Sequence, residues 1–174
     1  TINTLALRLD GSHFGQIFDF WGGYSDLRQQ KIRVLHALSF VDDATRMLRA
    51  VRFAARFSFE IEPQTLSLIE ASLPLINEIS GSRLTHEFEL ILNESKAPEM
   101  IRQLGSLGIL GAIHPTLPWD GKTLSRLAGG LAKLSSLFAN VTPEERQAIG
   151  WCLWLQDMAP EDLSALNQRL HLPG

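Results

Sequence analysis

The sequence predicts a mainly α-helical fold with a small β-containing part at its start. Three observations carry this. Within the first 36 residues, the stretch over 5–23 alternates apolar and polar side chains around a glycine-containing turn. From Phe40 onward, apolar residues recur with the helical period. Prolines and acidic or hydroxyl caps punctuate that second part at helix-start spacing. A chain of 174 residues suffices for one domain or for two small ones sharing a core.

In chain order, "LALRLDGSHFGQIFDFWGG" alternates about Asp10-Gly11 and predicts a hairpin with a somewhat long loop. "GGYSDLRQQ" predicts a turn entering a short helix, and "KIRVL" a further short strand. A few strands with open edges do not make a stable sheet alone, so their partners are expected before Thr1. The chain starts without methionine or signal peptide and stops abruptly at "NQRLHLPG", which suggests a piece of a longer protein.

The helical part opens at Phe40. Asp42 suits an N-cap, and Asp43 the first turn, where the helix dipole favours negative charge. On a helical wheel Met47, Leu48, Val51, Ala54 and Ala55 share one face, with Arg49, Arg52 and Arg56 opposite. Pro63 opens a second helix running to Ser72. Gly81-Ser82 precedes "RLTHEFELILNE", whose buried stripe is Leu84, Phe88, Ile91 and Leu92. Pro98 opens another helix, which ends in the Gly/Pro-rich loop "LGILGAIHPTLPW". "GKTLSRLAGGLAKLSSLF" is amphipathic but weakened by Gly129 and Gly130. Thr142-Pro143-Glu144-Glu145 combines a cap, proline at the first helical position and glutamate three after the cap. Trp151 and Trp154 follow as core or interface residues, and "PEDLSALNQRL" is a last helix. About six helices are expected after the β-containing part.

Apolar content of 45% and charge of 20% describe an ordinary globular protein. No apolar run approaches the ~18 residues of a membrane span. The single cysteine, Cys152, rules out an internal disulfide and fits a reducing compartment, so a cytoplasmic location is expected. Net charge is −3, unevenly spread. Residues 28–56 hold seven cations against Asp42 and Asp43, a local +5, leaving −8 on the remainder. A basic island on an acidic protein suggests a specific anionic ligand, and equally a helix with one solvated charged face.

Most catalytic motifs are missing. "HEFEL" at His86 lacks the second histidine of a zinc-protease helix, because position 90 is leucine. The histidines are scattered, His86 reads as a helix-surface residue, and no metal site is expected. No serine sits in a G-x-S-x-G turn. Cys152, between two tryptophans, reads as buried and structural. Gly22-Gly23 lacks the Lys-Ser/Thr of a phosphate loop. There remains the helix with Asp43 and Arg46. A carboxylate accepts hydrogen bonds and a guanidinium donates in a planar fork, so the pair could read a nucleobase edge. One turn apart on a continuous helix, they would lie about 60° apart around the axis. Arg49 and Arg52 could reach phosphates. Spacing alone favours a surface ion pair worth a few tenths of a kcal/mol.

The ordered motifs add more. "TIN", then Asp19 with Gly22-Gly23-Tyr24-Ser25-Asp26-Leu27, then Asp42-Asp43-Ala44-Thr45-Arg46-Met47-Leu48-Arg49, then Ser82-Arg83-Leu84-Thr85-His86-Glu87 resemble motifs of the class II tRNA nucleotidyltransferases and bacterial poly(A) polymerases. That family includes CCA-, CC- and A-adding enzymes. The resemblance runs from Thr1 to Leu92, with a weaker likeness beyond Pro98. It departs at Ser82, where glutamate is usual, and mildly at Asp42. It implies a part of a nucleotidyltransferase head over 1–38, a base-reading neck over 39–95 and part of a helical, RNA-binding body over 96–174. It further implies that Asp43 and Arg46 read the base of CTP or ATP, that Arg49 and Arg52 extend the nucleotide site, and that Arg83 and Glu87 brace it. The implied partners are ATP and/or CTP and the 3′ end of tRNA or another RNA. The family's metal-binding carboxylates, and with them magnesium, are expected upstream of this chain, so the chain alone is expected to be inactive. The rival expectation is a non-catalytic helical module binding RNA or protein.

Overall fold

The computed structural model describes residues 2–138 and 140–172. Thr1, the first residue of the "TIN" match, lies outside them. Strands β1 (Ala6–Leu7) and β2 (Ile17–Phe18) pair antiparallel, with Ala6 opposite Phe18 and Leu7 opposite Ile17. This is the expected hairpin, with its long loop and very short strands. Helix α1 (Gly23–Arg28) follows, its start satisfied by Asp19, whose carboxylate accepts from the Gly23 and Tyr24 amides at 2.7 and 2.9 Å. Among the described residues, Asp10 pairs with Arg8 alone, at 3.2 Å.

Strand β3 (Lys31–Ile32) has a partner that lies downstream. It pairs in parallel with β4 (Glu60–Ile61), just past the arginine helix. This ties the β-containing part to the helical part. The two-residue strand β4 is too short to show a period, so pattern alone does not reveal it.

The expected helix from Phe40 is two helices. A single turn, α2 (Ser39–Asp42), ends where Asp43 adopts extended backbone (φ −157°, ψ 103°). Helix α3 (Arg46–Phe57) then begins. Asp42 therefore ends a turn and does not cap the helix. Asp43 does that work from outside it. The inner face of α3 holds Met47, Leu48 and Val51, all fully buried. Ser58 ends α3 in the left-handed region (φ 56°).

Helix α4 (Pro63–Ser72) starts at Glu62, whose carboxylate accepts from the Thr65 amide at 2.8 Å. Helix α5 (Gly81–Leu92) buries Leu84, Phe88, Ile91 and Leu92, as expected. Helix α6 (Ala97–Ser106) runs against α3. The expected loop after it contains a further helix, α7 (Ile109–Ile113), with Ile109 and Leu110 fully buried. Helices α8 (Gly121–Leu137), α9 (Pro143–Leu155) and α10 (Pro160–Leu170) complete the fold. Gly129 and Gly130 do not interrupt α8. A Cβ on Gly130 would run into Leu153 of α9, so the glycine permits close approach of the two helices.

Phe88 joins the two parts of the helical core. Its ring lies 5.6 and 5.2 Å from Trp151 and Trp154, which stack at 5.4 Å. Trp154 also donates its indole N–H to the Pro118 carbonyl at 2.6 Å. Cys152 is exposed rather than buried. One residue along from Trp151 it is rotated by about 100°, off the buried face. Among the described residues no helix is long and apolar enough to cross a membrane.

Candidate nucleotide site

The site is built where α2 breaks and α3 starts. Asp43 Oδ1 accepts from the Thr45 amide at 3.0 Å, from the Thr45 hydroxyl at 2.7 Å and from Arg83 Nη2 at 2.8 Å. The first two contacts satisfy local backbone. The third crosses forty residues and joins α5 to the start of α3. Partial burial pushes the Asp43 carboxyl up, but the hydrogen bonds from Thr45 and then Arg83 outweigh it and hold it below the usual range. Among the described residues, Asp43 Oδ2 makes no hydrogen bond.

Arg46 is the first residue of α3. Its Nη1 donates to the Ser39 carbonyl at 3.1 Å and lies 3.8 Å from Asp42 Oδ2, which His36 approaches at 3.5 Å. Its other guanidinium N–H groups have no hydrogen bond among the described residues, and the side chain is 44% exposed. Because Asp43 precedes the helix, the 60° relation expected of one continuous helix does not apply. The carboxylate and the guanidinium flank the break instead.

Behind them runs a row of alternating charges. Arg49 lies 3.7 Å from Glu87, Glu87 3.8 Å from Arg52, Arg52 3.6 Å from Glu94, and Glu94 3.5 Å from Arg56. Arg49 and Arg56 are about half exposed, but the Arg52 side chain is only 8% exposed. The expectation that Arg52 shares a solvated face is thus wrong. Glu87 and Glu94 draw it inward, and its guanidinium lies 4.9 Å from the Phe53 ring centre. Burial of an arginine requires such partners. Glu94 was not singled out from sequence. It stands seven residues after Glu87, close to two helical turns, and that spacing was the available signal.

The structure therefore brings Asp43, Thr45 and Arg83 together at one end, and Arg49, Arg52, Glu87 and Glu94 along the helix. Such a group offers a carboxylate oxygen and, from the half-exposed Arg46 and Arg49 on α3, guanidinium donors, the two kinds of group that a polar edge with both a donor and an acceptor would need. His86 is exposed, as expected.

Residues 58–119 match the family model described as "Probable RNA and SrmB- binding site of polymerase A". The A-adding tRNA nucleotidyltransferase of Geobacter sulfurreducens is 43% identical over 129 residues, covering 73% of this chain and 15% of that protein. A solved structure, "The complex structure of CCA-adding enzyme with ATP", superposes with a TM-score of 0.84 at 32% identity over 99% of this chain and 42% of that one. The chain belongs to the tRNA nucleotidyltransferase family. The Thermotoga maritima CCA-adding enzyme complexed with tRNA_CCA superposes equally well, with TM-score 0.84 and 32% identity over 99% of this chain and 43% of that one. The present chain of this transferase family thus spans less than half the length of these relatives. Its helical class and small sheets agree with that fold.

Proposed function

We propose that the chain supplies nucleotide selection and RNA binding to an enzyme that adds C and/or A from CTP or ATP to tRNA 3′ ends. The observation that carries this is the Asp43 carboxylate. Thr45 and Arg83 hold it through Oδ1 alone, which leaves Oδ2 without a hydrogen bond among the described residues, and Arg46, three residues on, is about half exposed. Cytosine and adenine both present an amino donor next to a ring-nitrogen acceptor. Uracil and guanine present a carbonyl where that amino group would be. A carboxylate acceptor next to a guanidinium donor accepts the first two bases and leaves unpaired groups against the others, which is costly in a desolvated site. The relatives' complexes with ATP and tRNA support these ligands.

In this reading Asp43 and Arg46 contact the base, and Arg49 extends the site toward the phosphates. Arg52 belongs to the same site, acting through Glu87, which it shares with Arg49. Arg83 and Glu87 brace the helix start from α5. Residues 1–38 form part of the nucleotidyltransferase head, 39–95 the neck and 96–174 part of the body. Pairing of β3 with β4 links the first two. The described residues hold no group of three or more His, Cys, Asp or Glu suited to a metal. We assign no metal to them, and magnesium held elsewhere in the intact enzyme completes the proposal, as does a cytoplasmic location.

The test is Arg46→Ala in the intact enzyme, with CTP, ATP, UTP and GTP offered separately on tRNA ending at different 3′ positions. A well-made bidentate base contact is worth about 1–3 kcal/mol of discrimination. Discrimination against UTP and GTP should therefore fall about tenfold or more. Unchanged discrimination refutes the reading.

A further inference from the structure

The outward face of α3 carries more than arginines. Arg46, Arg49, Phe53, Arg56 and Phe57 fall within about 100° around the helix axis and extend over about 16 Å. The Phe53 and Phe57 rings stack at 6.1 Å with planes 10° apart, and Phe59 joins Phe57 at 5.7 Å. Guanidinium groups flank them: Arg49 lies 5.8 Å from the Phe53 ring centre, and Arg56 5.9 Å from that of Phe57. Phe57 is 44% exposed. An ordinary solvated helix face has no reason to carry this aromatic series.

The charge is layered as well. The carboxylates of the row, Glu87 and Glu94, are 6% and 17% exposed, whereas the Arg49 and Arg56 side chains are 43% and 51% exposed. Acids lie behind and cations in front, so the outer surface is cationic. Among the described residues the guanidinium groups of Arg49 and Arg56 make no hydrogen bonds, only ion pairs at 3.5 Å and beyond. Their outward N–H groups are free for an anion.

Interleaved aromatic faces and free guanidiniums are the chemistry of single-stranded nucleic-acid binding: bases stack on rings and phosphates meet cations. We propose that this stripe is a platform for the unpaired end of an RNA strand. A base stacks on Phe57, and Arg56 holds a backbone phosphate, while Arg49 stays with the nucleotide site. The stripe starts at Arg46 and runs away from Asp43, so the strand end lies next to the base-reading break. That the strand is a tRNA 3′ end rests on the function proposed above. The platform itself does not.

The test uses the intact protein and a 5′-fluorescein single-stranded RNA ending in CC, followed by anisotropy over a salt series. Phe57→Ala should weaken binding about fivefold or more, and Phe57→Trp should restore it. Arg56→Gln should reduce the steepness of log Kd against log salt by about 0.7, the single-strand value for one phosphate contact. All three variants should keep the wild-type preference among nucleotides. Wild-type RNA affinity in Phe57→Ala overturns the platform. So does a loss of thermal stability in that variant without loss of RNA binding, which would mean that protein covers the stripe. Weakened RNA binding in Phe57→Ala with unchanged nucleotide discrimination in Arg46→Ala keeps the platform and removes the base-reading proposal.

Discussion

At the start of α9, Thr142 and Glu145 exchange hydrogen bonds at 2.9 and 3.2 Å, three residues apart. At the start of α3, the capping carboxylate of Asp43 is shared between Thr45, two residues on, and Arg83, forty residues on. The α9 box uses backbone donors and its own side chains, and among the described residues no side chain of another helix bonds to it. The α3 cap is completed from another helix and keeps an oxygen in reserve. Local capping secures a helix. Capping from a distance also places a charged group relative to other elements, as a binding site requires.

The two regions should therefore respond differently to substitution. The largest expected effect is on stability in the core around α9. Trp154 is fully buried, stacked on Trp151 and hydrogen-bonded to Pro118. Trp154→Ala should cost about 3–5 kcal/mol of unfolding free energy. Denaturant titration measures that loss, and the protein that remains folded should select nucleotides as before. Altered selection would break the separation between that core and the site.

The smallest effect concerns pH. The folded Asp43 carboxyl lies below its ordinary value, while the unfolded value is about 3.9. Its contribution to stability is thus complete above about pH 4 and is lost as pH falls through the folded value. Asp43→Asn removes this term. The difference in Tm between wild type and Asp43→Asn should shrink as pH drops from 6 to 3. Asp157, between α9 and α10, is also held low, by Lys122 first and Arg126 second. It is common to both proteins and cancels in the comparison. A Tm difference that stays constant over that range would show that the Asp43 contacts contribute no pH-dependent stability.

The same contrast explains what was legible in the sequence. The capping box at Thr142, the proline starts at Pro63 and Pro98 and the buried stripe of α5 depend on residues a turn or so apart, and pattern reveals them. A local window around Asp43 reads as one continuous helix, because the contact of Asp43 with Arg83 spans forty residues. The burial of Arg52 depends on Glu87 in α5 and Glu94 just beyond it, both far away in sequence. Parallel pairing of β3 with β4 and the burial of α7 are likewise long-range facts that no local window contains. Family motifs compensated in part. They brought Arg83 and Glu87 into view as partners of the arginine helix, although the spacing gave no hint of a contact between them.

The central claim is that Arg83 positions Asp43 for base reading. The most direct measurement is the kcat/KM ratio for ATP or CTP over UTP in Arg83→Gln, alongside its Tm. Arg83 is more than half exposed, so the substitution should change Tm little. The ratio should fall about tenfold, the scale of one good base contact. A wild-type ratio in a folded Arg83→Gln enzyme would contradict the claim.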